Sequence, residues 1–410
     1  MSTAAATPSV AAEISTTAVG APASAGPGDR SAGPAARGTS SARGRRALRG
    51  RALLAVPAGV AGLAGLDAGA VLLDLPVPVS AARLPEVHGV LLVLGMLGTL
   101  VALERAVALG RAAGYLAPAL LGGGGLLLLA PVPLAVGRTV QLAGALALVG
   151  LYVPLWRRQR DDAVLVQAWG AVLATGAAAL WLGGMPVPGL LPWLVGFLVL
   201  SIAGERLELA RLAMDGRAAG LVVLTSGGLV CAVTASLLWP RAGHLLLGAT
   251  VLALVGMLWT HDVARRTIRS SGLPRYMAAG MLAAYAWLAV AGAIWLIGGA
   301  AGPGADGAGG AGYDAVVHAV FLGFGMSMVM THAPVILPAV LRRPLPYRPA
   351  FLAPLMLLHL SLALRLWAGD ALGSRVAWQV GGAANIVALL AFAALAVWSA
   401  LTAERPEGRR

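Results

Sequence analysis

No lysine occurs anywhere in the 410 residues, so the net charge of +13 rests on arginine alone. Charged residues of both signs make up only 11% of the chain, a share no ordinary soluble domain has. There is one cysteine, Cys231, and it lies in an apolar run, which excludes a disulfide framework and a thiolate metal site. No phosphate-binding Gly-rich loop, HExxH helix or GxSxG elbow stands in the strand or helix context it needs. What remains is hydrophobic: 59% of the residues, with a mean hydropathy of +0.82. Apolar runs of bilayer length recur along the chain, the mark of a polytopic membrane protein.

These runs predict an all-α, polytopic transmembrane bundle of twelve spans: 52–73, 86–109, 114–131, 134–156, 163–182, 190–210, 218–239, 243–261, 275–299, 313–340, 348–368 and 373–402. Every even-numbered span ends in an arginine cluster, such as Arg157, Arg158 and Arg160, or Arg265, Arg266 and Arg269. The positive-inside bias then places both termini in the cytoplasm. The arginines orient helices against an anionic leaflet, so the basic balance does not indicate nucleic acid; the expected partner is the lipid bilayer. The Ala/Gly/Leu/Val/Arg bias suits a GC-rich bacterial genome, and hence the cytoplasmic (inner) membrane. Residues 1–50 hold few large apolar side chains and read as a disordered basic tail. The membrane domain is 51–403, and 404–410 form a short cytoplasmic tail. A faint echo links Glu104-Arg105 at the end of span two to Glu205-Arg206 at the end of span six, consistent with a four-helix unit repeated three times.

Six histidines carry most of the chemical information. His318 and His332 lie fourteen residues apart in span ten, which at about 100° per residue puts both on one helix face. His88 opens span two at a depth that matches His318. His359 sits midway along span eleven. Ionisable side chains at membrane depth point to function, and imidazole is both a metal ligand and a proton carrier. For His359 the bland reading is a hydrogen bond to a neighbouring helix, and for His244 and His261 an interfacial position. Met326, Met328 and Met330 could hold copper(I) beside His332, or simply fill the packing. Pro334 and Pro338 are expected to break span ten and free the carbonyls of Met330 and Pro334. Glu104–Arg105 and Glu205–Arg206–Glu208 read most simply as ion pairs at headgroup level. Asp67, Arg365 and Asn385 need partners inside the bundle.

The phrases HGVLLVLGMLGTL, from His88, and VVHAVFLGFGMSM, around His318, resemble helices two and ten of haem–copper oxidase subunit I. The same positions are similar to NnrS-type membrane proteins, where a late span begins His-Ala and closes near a second histidine, here His318-Ala319 to His332. The resemblance implies a low-spin haem held by histidines of spans two and ten, copper as a further metal, and a link to nitric-oxide or respiratory metabolism. Spans six and seven carry no histidine, so an oxidase copper centre is not implied. The leading expectation is therefore haem or metal binding by His88, His318 and His332, with His359 as a further cofactor ligand. The rival is a proton-coupled secondary transporter that uses the same buried histidines and the proline-bearing span.

Overall fold

A computed structural model describes residues 34–78, 81, 83–210, 216–298 and 310–403, with no side-chain description for 34–49, 159 and 210. Met1–Gly50 and Arg51–Arg410 form separate units. Of the expected disordered tail, 1–33 lies outside the described residues; the first helix is Pro34–Leu72. The expected 404–410 tail also lies outside them.

Among the described residues, twelve helices are long and apolar enough to cross a membrane: Gly50–Leu72, Leu84–Leu109, Ala112–Leu129, Leu134–Arg158, Asp162–Leu182, Val187–Leu209, Gly216–Leu238, Pro240–His261, Gly272–Gly298, Ala311–Leu341, Pro349–Ala371 and Arg375–Leu401. Each expected span is found, its ends displaced by less than one helical turn. The protein is a multi-pass, all-helical membrane protein.

The packing repeats every four spans. Spans five and six pair closely, as do nine and ten; spans three and four, seven and eight, and eleven and twelve form further pairs. Span one completes the first set, laying Gly62, Gly65 and Gly69 against Met96, Leu92 and His88 of span two. Spans four and five, and eight and nine, join the sets. Span twelve meets span one, where Gln379 donates to the Leu73 carbonyl at 3.0 Å and Arg375 pairs with Asp74. The best-shielded windows belong to spans six, two and ten, 72, 67 and 61% buried, against 28% for spans one and twelve. These three inner helices, four spans apart, hold most of the residues with chemical potential.

Small residues allow the close approach. Lipid offers no hydrophobic drive between helices, so contact depends on backbones meeting over glycine. A Cβ on Gly248 of span eight would lie 2.6 Å from both the Gly292 carbonyl oxygen and the Leu296 nitrogen of span nine. Backbone atoms cannot step aside as a side chain can.

Three helices widen into π-helical turns: Leu91–Gly98 in span two, Ala319–Met326 in span ten and Leu364–Ala371 in span eleven. Such turns leave the regular ladder and re-aim nearby side chains, often at functional sites. The expected break at Pro334 and Pro338 does not occur. The helix Ser327–Leu341 runs through both prolines, because the carbonyl freed at Met330 is taken by the Tyr276 hydroxyl at 3.2 Å. Span ten departs from α geometry well before the prolines, over Ala319–Met326 beside His318.

Replacing Gly248 with leucine is expected to destabilise the bundle by about 1–3 kcal/mol through overpacking. Gly220 has open space around it, so Gly220→Ala should leave the melting temperature in detergent unchanged. Equal melting points for the two variants would contradict the packing described.

Candidate functional site

His88 and His318 converge from spans two and ten, near the face opposite the arginine clusters. They lie within electrostatic reach of each other and of Asp314 and Arg365. The His88 ring is fixed by a neighbouring helix: its Nδ1 donates to the Gly65 carbonyl of span one at 2.8 Å. A Cβ on Gly69 would stand 3.2 Å from His88 Cε1, so the two glycines form the bed on which the ring rests. His318 Nδ1 donates to the Asp314 carbonyl at 2.8 Å, with the Asp314 carboxylate Oδ1 at 3.2 Å. A carbonyl can only accept, so in both rings Nδ1 bears the hydrogen that is donated, and Nε2 is the nitrogen left for another use. An outward-facing Nε2 with Nδ1–H tied to an oxygen is how proteins orient histidine ligands.

The bond back to the carbonyl four residues earlier is not by itself diagnostic. His244 makes it to Pro240 and His261 to Met257. What distinguishes the pair is the cross-helix anchor of His88 and the carboxylate behind His318.

That carboxylate is the hub of the site. Arg365 of span eleven grips Asp314 with both arms of its guanidinium, Nε to Oδ2 at 3.0 Å and Nη2 to Oδ1 at 2.9 Å. Trp378 of span twelve donates its indole N–H to Oδ2 at 3.2 Å, and its ring lies under the Arg365 guanidinium at 4.7 Å. Arg365 is 5% exposed, so it is paired within the protein rather than extended to the interface. Its passage needs Gly381 and Gly382, whose missing side chains would occupy its place. A bidentate arginine–carboxylate pair is among the strongest geometries available to two charges.

The other expected site residues lie elsewhere. His332 is buried near the arginine-rich face; its Nδ1 donates to the Met328 carbonyl at 2.9 Å and its Nε2 has no partner among the described residues. His359 uses both ring nitrogens: Nδ1 accepts from Trp287 Nε1 at 3.0 Å, and Nε2 faces Ser327 Oγ at 3.3 Å. No contact joins His332 to His359. Among the described residues, no group of three or more His, Cys, Asp or Glu side chains is arranged to hold a metal ion. Met328 and Met330 are buried in apolar clusters. Asn385 donates to the Leu358 carbonyl and to Ser361 Oγ.

The headgroup reading of the acidic-basic pairs is corrected. Arg105 is 9% exposed and gathers Glu104 at 2.6 Å, Glu208 at 3.4 Å, Glu205 at 3.9 Å and the Gln167 side-chain oxygen Oε1 at 3.1 Å. The two echoed segments thus meet each other inside the bundle, binding span two to span six. The sequence reading missed Asp314 and Trp378. The available clue was the spacing of Asp314, four residues before His318 in the first turn of the same helix.

A family model described as a domain of unknown function, DUF8744, matches residues 51–401. The chain belongs to this family. The match spans every helix that contributes to the site and begins where the membrane unit begins. No curated protein matches the chain.

Breaking the buried pair from one side should be costly, because the remaining charge has no water to turn to. Arg365→Leu alone is expected to cost about 3–5 kcal/mol. The double variant Arg365→Leu/Asp314→Leu should recover most of it. Additive losses in a thermal-unfolding cycle would show that the two side chains are not coupled.

Proposed function

We propose that the protein binds haem in the membrane and that His88 and His318 are the residues that would hold its iron. The observation that supports this most directly is the pair of imidazoles, delivered by separate inner helices, whose Nδ1 atoms are anchored to backbone carbonyls and whose Nε2 atoms carry no hydrogen bond among the described residues. The donor set fits a low-spin haem iron, which takes two imidazole nitrogens. When bound, such a group supplies one-electron chemistry. The protein's own part is to fix the rings: the Gly65 carbonyl holds His88, and Asp314 orients His318 through its Nδ1–H. Arg365 and Trp378 hold Asp314 and neutralise it. A place in nitric-oxide or respiratory metabolism follows from the resemblance to NnrS-type and oxidase helices. The arginine ledger supports a bacterial inner-membrane location with cytoplasmic termini. His359, whose nitrogens both carry hydrogen bonds, and His332, at the far end of the helix, take no part in this pair. Copper is the lesser metal of the reading, since two imidazoles without a third donor make a poor copper site.

A second reading, proton-coupled transport, draws on Asp67. Both of its carboxylate oxygens are buried in span one with no partner among the described residues. An unpartnered carboxyl at membrane depth points to function by the ordinary membrane argument.

The two readings part in one preparation. Full-length protein purified from cells supplied with haem should show a Soret band. His88→Ala and His318→Ala should each lose most of it, and His359→Ala should keep it. A colourless protein in proteoliposomes whose proton-linked flux falls with Asp67→Asn would favour transport instead.

A further inference from the structure

Span eight ends at His261 and span nine begins at Gly272. The connection between them carries Arg265, Arg266 and Arg269, all exposed. Ala264 beside them is fully buried and Ile268 packs on the main core, so the connection lies along the bundle with its apolar side inward. Its shape is set by Asp262. Oδ1 of that residue accepts from the Ala264 nitrogen at 2.8 Å, and Oδ2 from Tyr285 Oη of span nine at 2.6 Å. A cavity of about 490 Å³ forms here, its lining including His261, Asp262 and the three arginines.

The charge around this cavity is unbalanced. None of the three guanidiniums makes a hydrogen bond or ion pair among the described residues. The acid in the lining, Asp262, is 6% exposed and has both oxygens engaged. Like charges one turn apart repel, so the arrangement suits an anion that several guanidiniums can share. The cluster after span four is different: Arg157, Arg158 and Arg160 are followed directly by Asp161 and Asp162, and Arg158 donates to the Leu109 carbonyl at 2.7 Å. Height narrows the choice of anion. Trp259, in the last turn of span eight, is 40% exposed, and exposed indoles sit at the headgroup level of a bilayer. The cavity begins two residues beyond it, where lipid phosphates lie.

We propose that this cavity binds the headgroup of an anionic phospholipid, with Arg265, Arg266 and Arg269 gripping its phosphodiester oxygens. The guanidinium fork matches phosphate oxygens in pairs, and basic pockets at this level of a membrane protein are suited to such headgroups. Three guanidinium charges against one carboxylate leave two positive charges, which a headgroup with two phosphodiesters neutralises. Diphosphatidylglycerol (cardiolipin) has that chemistry. The lipid would seat against the junction of spans eight and nine, fixing a connection that Asp262 already ties to Tyr285. The site shares no residue with the His88–His318 pair, and neither proposal depends on the other.

The test is native mass spectrometry of delipidated full-length protein titrated in detergent with tetraoleoyl cardiolipin. Dioleoyl phosphatidylglycerol, at twice the concentration to equal its charge, and inorganic phosphate are titrated separately. Saturable retention of cardiolipin is expected, at least about tenfold tighter than phosphatidylglycerol, with no competition from phosphate at matched charge. Replacing Arg265, Arg266 and Arg269 together with glutamine should weaken cardiolipin about a hundredfold, about fivefold for each arginine. The same replacement at Arg157, Arg158 and Arg160 should leave it within about threefold of the native value. Lysine at 265, 266 and 269, which keeps the charge should the glutamine variant not fold, should weaken binding about tenfold through loss of the paired contacts. Native protein that retains no cardiolipin, or glutamine and lysine variants that retain it like the native chain, would overturn the proposal. Phosphatidylglycerol bound as tightly as cardiolipin would overturn the two-phosphate assignment, and displacement by phosphate would replace the lipid with a free anion.

Discussion

The Asp314–Arg365 pair is the interaction on which the geometry of the histidine site depends. Two charges taken out of water must satisfy each other, and they can do so only if spans ten, eleven and twelve are held in one register. Both arms of the guanidinium, the Trp378 indole and the glycines at 381 and 382 serve that requirement. In return the carboxylate stands beside His318 Nδ1 and helps to fix its ring. The π-helical turns beginning at Ala319 and Leu364 fall beside these residues, where regular α geometry gives way to the needs of the site.

The protein thus has two polar centres at opposite ends of its inner helices. One is built on Asp314, Arg365, His88 and His318. The other surrounds Arg105 and Arg206 near the arginine-rich face. The three helices that supply both ends are the best shielded, and each is the second member of a four-span set. Outer helices meet lipid with ordinary apolar side chains and contribute mostly packing. This division explains how 11% charged residues suffice: the few that occur at depth are gathered where other protein groups can satisfy them.

Much of the fold was legible because span length and arginine placement are imposed by the bilayer, not by tertiary detail. All twelve spans could be read directly. The approach of His88 to His318 was also legible, since both lie near the start of spans that enter from the same face. Partners were harder. Asp314 looked like an ordinary first-turn acid, and nothing in the chain near it names Arg365, which is supplied by the next span. Arg105 looked like a headgroup residue because its position at a helix end is compatible with either fate; only the encounter with span six decides it. The prolines misled for a related reason, since the Tyr276 hydroxyl that rescues the freed carbonyl comes from span nine. Local chemistry can be read from a sequence, whereas cross-helix satisfaction depends on neighbours that only packing reveals.

Under the proposed haem binding, imidazoles from spans two and ten would hold one iron. Low-temperature electron paramagnetic resonance of the oxidised, haem-loaded full-length protein tests it most directly. The account predicts a low-spin ferric signal of bis-imidazole type, converted to high spin when His318 is replaced by alanine. A native spectrum that is already high spin, or one unmoved by that replacement, would contradict it.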